Sequence, residues 1–204
     1  MSEAPSVFIV DDDERVRSAL TLLMESVGLK SESFSSAQEY LDQFDTAKSG
    51  CLILDVRMPG LSGLDLQARL SVEKIHPPII IITGHGDVPM AVRAVTAGAV
   101  DFIEKPFNNQ SMLDCVHRAI EQDAKTRGES SRLQDIESRY NDLTPREKEV
   151  LQYVIEGRRN KIIASEMNIS QSTVEAHRSK VMEKMMANTL SDLMRMSLLL
   201  KLIH

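Results

Sequence analysis

The sequence predicts two domains: an α/β domain with a doubly wound, five-stranded parallel sheet, followed by a small all-α domain of four helices. Over the first 108 residues, short apolar runs alternate with amphipathic stretches, which is typical of a sheet with helices on both faces. After residue 143, only helical patterns and their capping residues follow. Residues 1–122 carry 18 acidic and 10 basic side chains, whereas residues 144–204 carry 7 and 10. This asymmetry also indicates two domains with different partners.

Five short runs are predicted to form the strands of the sheet. Three of them consist of β-branched and aliphatic residues without alternation, as strands buried on both faces do. The run over residues 101–104 has a shorter apolar part, residues 102–103, and the run over residues 31–34 is weaker and is expected at an edge. In chain order, the predicted strands are 7–10, 31–34, 51–54, 79–82 and 101–104.

Helices are predicted between these runs, because apolar residues recur there at helical spacing. A further helix is predicted over residues 109–127, with Gly128 breaking it, because glycine lowers helix stability. Residues 123–142 are then a helical or partly helical linker between a domain at 1–122 and another at 143–204. The apolar residues that carry the helical pattern are Val16, Leu20, Leu23 and Val27; Tyr40, Leu41 and Phe44; Leu64, Leu66 and Leu70; and Val88, Ala91, Val92 and Val95.

The C-terminal residues contain a series of helix start and stop signals. Thr144 and Glu147 form a capping box at the start of one helix, and Gly157 ends that helix. Asn160 is predicted to cap the next helix and Ser170 the one after it. These later helices are predicted over 161–167, 171–185 and about 190–202. A short helix, a tight turn and a capped longer helix together predict a helix-turn-helix.

Polar residues follow four of the predicted strands: three aspartates at 11–13, then Asp55, Thr83 and Lys105. In a doubly wound sheet the carboxyl ends of the strands meet at one edge, so these side chains are expected to converge. Clustered carboxylates need a cation among them, and oxygen ligands suit Mg²⁺. A carboxylate can also attack phosphorus while a metal and a lysine neutralise the transferring group. The residues therefore predict phosphoryl transfer onto a carboxylate, with Asp13 capping the next helix.

Four motifs, in this order, resemble those of the response-regulator receiver family over residues 6–122. They are VFIVDDD at 7–13, LDVRMPG at 54–60, ITGHG at 82–86 and DFIEKP at 101–106. The resemblance implies a flavodoxin-like receiver in which Asp55 accepts a phosphoryl group from a sensor histidine kinase. It also implies Mg²⁺ as the cofactor, and it assigns further roles residue by residue. Asp11, Asp12, Asp55 and the backbone carbonyl of Arg57 would hold Mg²⁺, Thr83 and Lys105 would contact the phosphoryl group, and Phe102 would be the switch aromatic residue.

Residues 143–202 resemble the LuxR-type helix-turn-helix of the NarL/FixJ regulators, with the FixJ branch nearest. The matching residues include LTPRE at 143–147, NK at 160–161 and TVEAHR at 173–178. Glu175 could accept a hydrogen bond from a cytosine amino group, and Ala176 could contact a thymine methyl group. Family members often carry a basic residue near these positions, so Glu175 leaves the target sequence open. The residues expected to contact DNA are Lys161, Thr173, Glu175, Ala176, Arg178, Ser179 and Lys180.

The expected mechanism is a phosphorylation switch. Phosphorylated Asp55 would draw Thr83 inward and let Phe102 rotate, which would remodel a dimer face that includes Val88, Val92 and Val95. Two helix-turn-helix units would then bind double-stranded promoter DNA with half-sites about 10 bp apart. The expected partners are a sensor histidine kinase, promoter DNA and a second copy of the chain, with RNA polymerase as a possible further partner. No membrane is expected, because the apolar runs are far shorter than about 20 residues, and the expected location is the cytoplasm.

Two other functions fit parts of the same pattern. A phosphatase of the haloacid dehalogenase type would also use an Asp-x-Asp after the first strand, here residues 11–13, with Thr83 and Lys105. Against it, Arg15 stands where a small or β-branched residue is expected, and steady turnover of p-nitrophenyl phosphate would distinguish it. The second alternative is a receiver that acts only through protein contacts. In that case DNA binding would be absent or insensitive to salt.

Overall fold

The computed structural model describes residues 4–72, 76–84 and 88–202. The chain divides into two compact units, Met1–Thr126 and Arg127–His204. The strands are β1 (Ser6–Val10), β2 (Lys30–Phe34), β3 (Gly50–Asp55), β4 (Ile79–Thr83) and β5 (Asp101–Glu104). The helices are α1 (Glu14–Ser26), α2 (Ala37–Gln43), α3 (Gly63–Val72), α4 (Val88–Thr96), α5 (Asn109–Asn141), α6 (Pro145–Ile155), α7 (Asn160–Met167), α8 (Gln171–Met185) and α9 (Leu190–Leu199).

The first unit contains a parallel sheet in the order β2-β1-β3-β4-β5. All five predicted strands are confirmed to within one residue at either end, and β2 lies at an edge as predicted. The buried runs need no alternation of polarity, because both faces of the sheet are covered. Phe8 and Val10 pack on one face with residues of α2, α3 and α4. Val7 and Ile9 pack on the other face with residues of α1 and α5. The doubly wound fold is therefore confirmed.

Helix α5 differs from the prediction, because it is one helix of 33 residues that continues through Gly128. The predicted break at Gly128 is therefore wrong. A glycine inside a helix costs only about 1 kcal/mol, which other contacts of the helix can outweigh. The Asp123 carboxylate accepts a hydrogen bond from the backbone N–H of Gly50 at 2.9 Å, and Ile136 is buried in the core of the second unit. These contacts hold the helix on each side of the glycine.

The regular secondary structure of the second unit, over the residues described up to 202, is helical, as the sequence predicts. The capping box is present: the Thr144 hydroxyl accepts from the Glu147 N–H, and the Glu147 carboxylate accepts from the Thr144 N–H. Ser170 caps α8 through the backbone N–H of Thr173. The predicted cap at Asn160 is wrong, because Arg159 occupies the cap position without a side-chain hydrogen bond and Asn160 is the first residue of α7. The core of this unit includes Val150, Leu151, Ile163, Val174, Val181, Met185 and Leu193.

Two further observations concern the described residues as a whole. Both cysteines, Cys51 and Cys115, are buried free thiols. Burial raises the pKa of the Cys51 thiol to about 12, so this thiol is protonated at neutral pH. Within residues 4–72, 76–84 and 88–202, no helix is both long enough and apolar enough to cross a bilayer.

Candidate functional site

The carboxyl ends of β1, β3 and β5 bring two carboxylates and one ammonium group together. Lys105 Nζ donates a hydrogen bond to Asp11 Oδ2 at 2.6 Å and to Asp55 Oδ1 at 2.7 Å. Both carboxylates are buried, with side chains 1% and 6% exposed, whereas the lysine side chain is 20% exposed. One cation therefore lies between two acidic groups that would otherwise repel each other.

The sheet register explains why residues far apart in the chain meet here. Val10 of β1 pairs with Leu54 of β3. Asp11 and Asp55 are the next residues on these two neighbouring strands, so they lie side by side at the edge of the sheet. The Lys105 backbone N–H donates to the Thr83 carbonyl oxygen at 2.8 Å, which holds the end of β5 beside the end of β4. The structure thus brings together three of the residues that the sequence assigned to the phosphoryl site.

Burial disfavours the charged form of both kinds of ionisable group in this cluster. It raises the pKa of the Asp55 carboxyl, because desolvation outweighs the hydrogen bond and the charge of Lys105. Burial also disfavours the charged form of Lys105. The hydrogen bonds to Asp11 and Asp55 outweigh that effect and raise the pKa of Lys105. The lysine is therefore charged at neutral pH, as a group that binds an anionic phosphoryl oxygen should be.

The donor set also bears on the predicted metal. Asp55 Oδ2 accepts from the Arg57 backbone N–H at 2.7 Å, so the Arg57 backbone lies beside the carboxylate. Asp12 is exposed, and the contacts of Lys105 run to the other two carboxylates. Among the described residues, no three acidic, histidine or cysteine side chains gather as a metal group. Two carboxylates already held around one cation nevertheless fit Mg²⁺, which binds proteins through one or two carboxylates and keeps several waters.

The other two receiver residues lie on neighbouring strands. Thr83 is fully buried at the end of β4, immediately after Ile82, the partner of Asp55 in the sheet register. Phe102 of β5 pairs with Ile81 of β4. Its side chain is partly buried and packs against the core cluster that includes Ala94 of α4. The motif residue His85 lies outside the described residues. On α4, Val88, Val92 and Val95 are 77%, 57% and 55% exposed, so they form an apolar face available to a partner.

Two residues that shape this site were not singled out from the sequence. A Cβ atom on Gly63 would lie 2.1 Å from the Asp55 carbonyl oxygen, so only glycine permits the close approach of α3 to the end of β3. Arg17 Nη1 donates to the carbonyl oxygens of Asp11 and Asp12 at 2.7 and 3.0 Å, which fixes the loop after β1. Gly63 could have been found from the sequence, because a glycine at the first position of a helix is an unusual choice. Arg17 could not, because its role depends on a tertiary contact.

The expected DNA-contacting residues lie on the outer faces of α7 and α8. Val174, Val181 and Met185 face the core and are at most 1% exposed. Arg178 is half-buried. The exposed residues among them are Lys161, Thr173, Glu175, Ala176, Ser179 and Lys180.

One side chain of α7 contacts two of these residues. Asn160 Oδ1 accepts a hydrogen bond from Arg178 Nη1 at 3.1 Å, and Asn160 Nδ2 donates to Glu175 Oε1 at 3.5 Å. The sequence assigned Asn160 to helix capping, so this contact with α8 was missed. The hydrogen bond between Asn160 and Arg178 joins the two helices of the helix-turn-helix. Local sequence patterns do not predict a contact between residues this far apart in the chain.

Comparison with known proteins gives two family matches and several close relatives. A family model described as the response regulator receiver domain matches residues 7–117, and one described as bacterial regulatory proteins of the luxR family matches residues 141–197. Nodulation protein W of Bradyrhizobium diazoefficiens is 48% identical over 94% of this chain and 84% of its own. The transcriptional regulatory protein FixJ of the same organism is 41% identical over 97% of both chains. The solved structure of response regulator StyR has a TM-score of 0.88 at 41% identity and covers 95% of this chain and 98% of its own.

Proposed function

Because the chain belongs to the response regulators that join a receiver domain to a LuxR-type DNA-binding domain, we propose that Asp55 is its phosphoacceptor. The family makes it a phosphorylation-activated, DNA-binding transcriptional regulator of a two-component system. The observation that carries the assignment of Asp55 is the charged Lys105, which lies 2.7 Å from the Asp55 carboxylate and 2.6 Å from that of Asp11. We also retain the division into a receiver at 1–122, a linker at 123–142 and a DNA-binding domain at 143–204.

The proposed chemistry is the transfer of a phosphoryl group from a histidine nitrogen of the sensor kinase to a carboxylate oxygen of Asp55. A carboxylate oxygen of Asp55 attacks the phosphorus of a phosphohistidine on the sensor kinase, and the bond from phosphorus to the imidazole nitrogen breaks. The nitrogen keeps the electron pair of that bond. The Lys105 ammonium group then binds an oxygen of the new acyl phosphate, and the Thr83 hydroxyl donates a hydrogen bond to another.

The chain is thus not an enzyme that turns over a separate substrate, and its catalytic role is limited to its own phosphorylation and dephosphorylation.

Mg²⁺ is the proposed cofactor of this step. Asp11, Asp12, Asp55 and the Arg57 carbonyl are the oxygen donors that would hold it. When bound, Mg²⁺ neutralises charge on the transferring phosphoryl group. The buried pair Asp11 and Asp55 already surrounds one cation, the Lys105 ammonium group, which supports the proposal that the same pair accepts a metal.

The proposed switch connects this site to α4. The Thr83 hydroxyl moves towards the phosphoryl oxygens, and Phe102 fills the space that it leaves on the α4 side of the sheet. The exposed face formed by Val88, Val92 and Val95 then becomes the dimer contact. In the dimer, the two copies of α8, the second helix of the helix-turn-helix and its recognition helix, bind promoter DNA. RNA polymerase is a further proposed partner. Because that DNA lies in the bacterial cytoplasm, we expect the protein to act there.

The first test compares the wild type with Asp55→Asn after incubation with acetyl phosphate and Mg²⁺. Intact mass spectrometry should show one added phosphoryl group on the wild type and none on the variant. Sedimentation should show a shift towards dimer that is also lost in Asp55→Asn. Asp42→Asn, which makes the same change at an exposed aspartate of α2, serves as the matched control and should behave like the wild type.

Other outcomes would contradict the proposal in different ways. Steady release of phosphate from p-nitrophenyl phosphate without added mass would favour the phosphatase alternative. Phosphorylation of Asp55→Asn at wild-type extent would assign the phosphoacceptor to another residue. Dimerisation without DNA binding, or DNA binding that does not weaken with salt, would favour a receiver that acts through protein contacts.

A further inference from the structure

The contact between α7 and α8 goes beyond the proposed function and concerns how the recognition helix reads DNA. Glu175 and Arg178 are three positions apart, so they lie on the same side of α8. Opposite charges at this spacing tend to pair directly along a helix. Here a third side chain, Asn160, contacts both of them from the first residue of α7.

The chemistry of the amide fixes its orientation. The Asn160 carbonyl oxygen can only accept and its amino group can only donate. The arginine can only donate and the ionised glutamate can only accept, so the observed arrangement, oxygen towards Arg178 and nitrogen towards Glu175, satisfies all three groups. The amide thereby gives each charged side chain its own partner.

This arrangement matters for base recognition because Glu175 is exposed on the face of α8 expected to enter the major groove. The contact with Asn160 uses Oε1. A carboxylate has a second oxygen, and Oε2 can accept a hydrogen bond from a base amino group. To accept from a base, the Glu175 carboxylate must be held in one orientation. A glutamate without a partner samples several rotamers, and a direct pair with Arg178 would turn the carboxylate along the helix.

We propose that Asn160 is a positioning residue that sets DNA sequence preference, by holding the Glu175 carboxylate on α8 in the orientation that accepts from a base amino group. The inference rests on the proposed function, in that Glu175 must read a base. Asn160 itself touches no base in this scheme. Removing it should therefore relax the preference at the base pair read by Glu175 and leave the preferences elsewhere in the site unchanged.

The test uses the full chain treated with acetyl phosphate and Mg²⁺. A preferred duplex is selected from random DNA with the wild type, and binding is then measured by fluorescence anisotropy on that duplex and on its single-base variants. Five variants are compared with the wild type: Glu175→Ala, Asn160→Ala, the double variant that carries both changes, Asn160→Asp and Asn188→Ala. Asn188 is an exposed asparagine on the connection between α8 and α9 and is the matched control.

Glu175→Ala should identify the base pair in question by lowering the preference there about tenfold. Asn160→Ala should lower the preference at that same pair about threefold or more, and the double variant should lose no more than Glu175→Ala alone. Asn160→Asp keeps an acceptor for Arg178 but places a negative charge against Glu175, so it should relax the same preference. Asn188→Ala should leave every preference unchanged.

Thermal unfolding and the salt dependence of binding separate this role from a structural one. A loss of fold would lower the melting temperature and weaken binding to all sequences together. A lost phosphate contact would reduce the salt slope by about one and leave the base preferences intact. Either result for both Asn160 variants would overturn the inference.

Failure of the inference is distinguishable from failure of the proposed function. If Glu175→Ala relaxes a preference and the Asn160 variants do not, Asn160 has no positioning role while the base contact of Glu175 stands. If Glu175→Ala changes no preference, or if the phosphorylated wild type selects no DNA, the base contact is wrong and the inference falls with it.

Discussion

At the scale of single residues, the proposed phosphoryl site depends on one ammonium group held by two buried carboxylates. Lys105 forms hydrogen bonds with Asp11 and Asp55, and both acids are almost fully buried. Removing one member of such a cluster leaves charge in a poorly solvated place, which costs more than the pair contributed when complete. A bound cation could take over part of that role.

We expect Lys105→Met to lower the free energy of unfolding by about 2–3 kcal/mol in EDTA, because Asp11 and Asp55 lose their shared cation. Millimolar Mg²⁺ should reduce this loss, since the same carboxylates would hold the metal. Urea denaturation with and without Mg²⁺ measures both effects. Lys48→Met removes a lysine from the more exposed pair with Glu32 and should cost less than about 1 kcal/mol. Equal losses for the two lysines would contradict the prediction.

A buried acid also stabilises the DNA-binding unit. Glu147 accepts from the Thr144 backbone N–H at 2.8 Å and from Lys184 Nζ at 2.7 Å. The bond with Lys184, followed by the one with Thr144, lowers the pKa of the Glu147 carboxyl. Because the pKa is lower in the folded state, the stabilisation is fully present above the ordinary glutamate pKa. It is lost as the pH falls through the lowered value.

Glu147→Gln should therefore destabilise the protein at pH 7 by about 1–2 kcal/mol, since it removes the negative charge that pairs with Lys184 and that strengthens both hydrogen bonds. Thermal unfolding of the two proteins as a function of pH should show the difference shrinking as the pH falls below the ordinary glutamate pKa and disappearing once the wild-type carboxyl is protonated at its lowered pKa. Glu149→Gln, in an exposed pair with Arg146 on the same helix, is the control and should change little at any pH. A difference that stays constant with pH would rule out this account.

At the scale of elements, α5 shows how a weak local signal is overridden. Gly128 has open space around it, and it is not among the glycines with positive φ. Its backbone is therefore one that alanine can adopt without strain. By contrast, Gly157 follows α6 with a φ of 76°, a left-handed conformation that favours glycine.

We expect Gly128→Ala to raise the free energy of unfolding by about 0.5–1 kcal/mol, because alanine loses less conformational entropy in a helix. Gly157→Ala should instead lower it by about 1 kcal/mol, because alanine is strained at positive φ. Chemical denaturation followed by circular dichroism compares both variants with the wild type. If Gly128→Ala were destabilising, residues 109–141 would not form one continuous helix.

At the scale of the whole molecule, the proposed activation requires that two copies meet. Three valines of α4 project from the receiver with more than half of their surface exposed. Exposed apolar side chains on one helix face are a common feature of protein contacts. The proposed dimer therefore uses a surface that exists before phosphorylation and changes shape after it.

Val92→Arg should weaken dimerisation of the phosphorylated protein at least about tenfold, because an unpaired charge would be buried at the contact. Intact mass should still show one added phosphoryl group, since Asp55 is untouched. Sedimentation equilibrium measures the dimer dissociation constant. Leu22→Arg places the same change on α1, where Leu22 is also exposed, and should leave dimerisation unchanged. Equal effects of the two variants would argue against α4 as the dimer face.

Local physics made much of this protein predictable from its sequence. The strands could be located because uninterrupted apolar runs must be buried on both faces, and the starts of α6 and α8 because Thr144 and Ser170 are strong capping residues. The candidate phosphoryl residues could be named because carboxyl ends of parallel strands share one edge. Each of these signals acts within a few residues or follows from a general rule of topology.

The tertiary structure decided what depends on partners distant in the chain. Gly128 stays helical because contacts such as those of Asp123 and Ile136 outweigh a cost of about 1 kcal/mol. Asn160 contacts α8 instead of capping α7, since Arg178 and Glu175 offer its amide both an acceptor and a donor role. The sequence by itself determined the fold class, the order of the elements and the set of candidate residues. Only the packed molecule determined which of those side chains meet, because contact geometry is a property of the assembled fold.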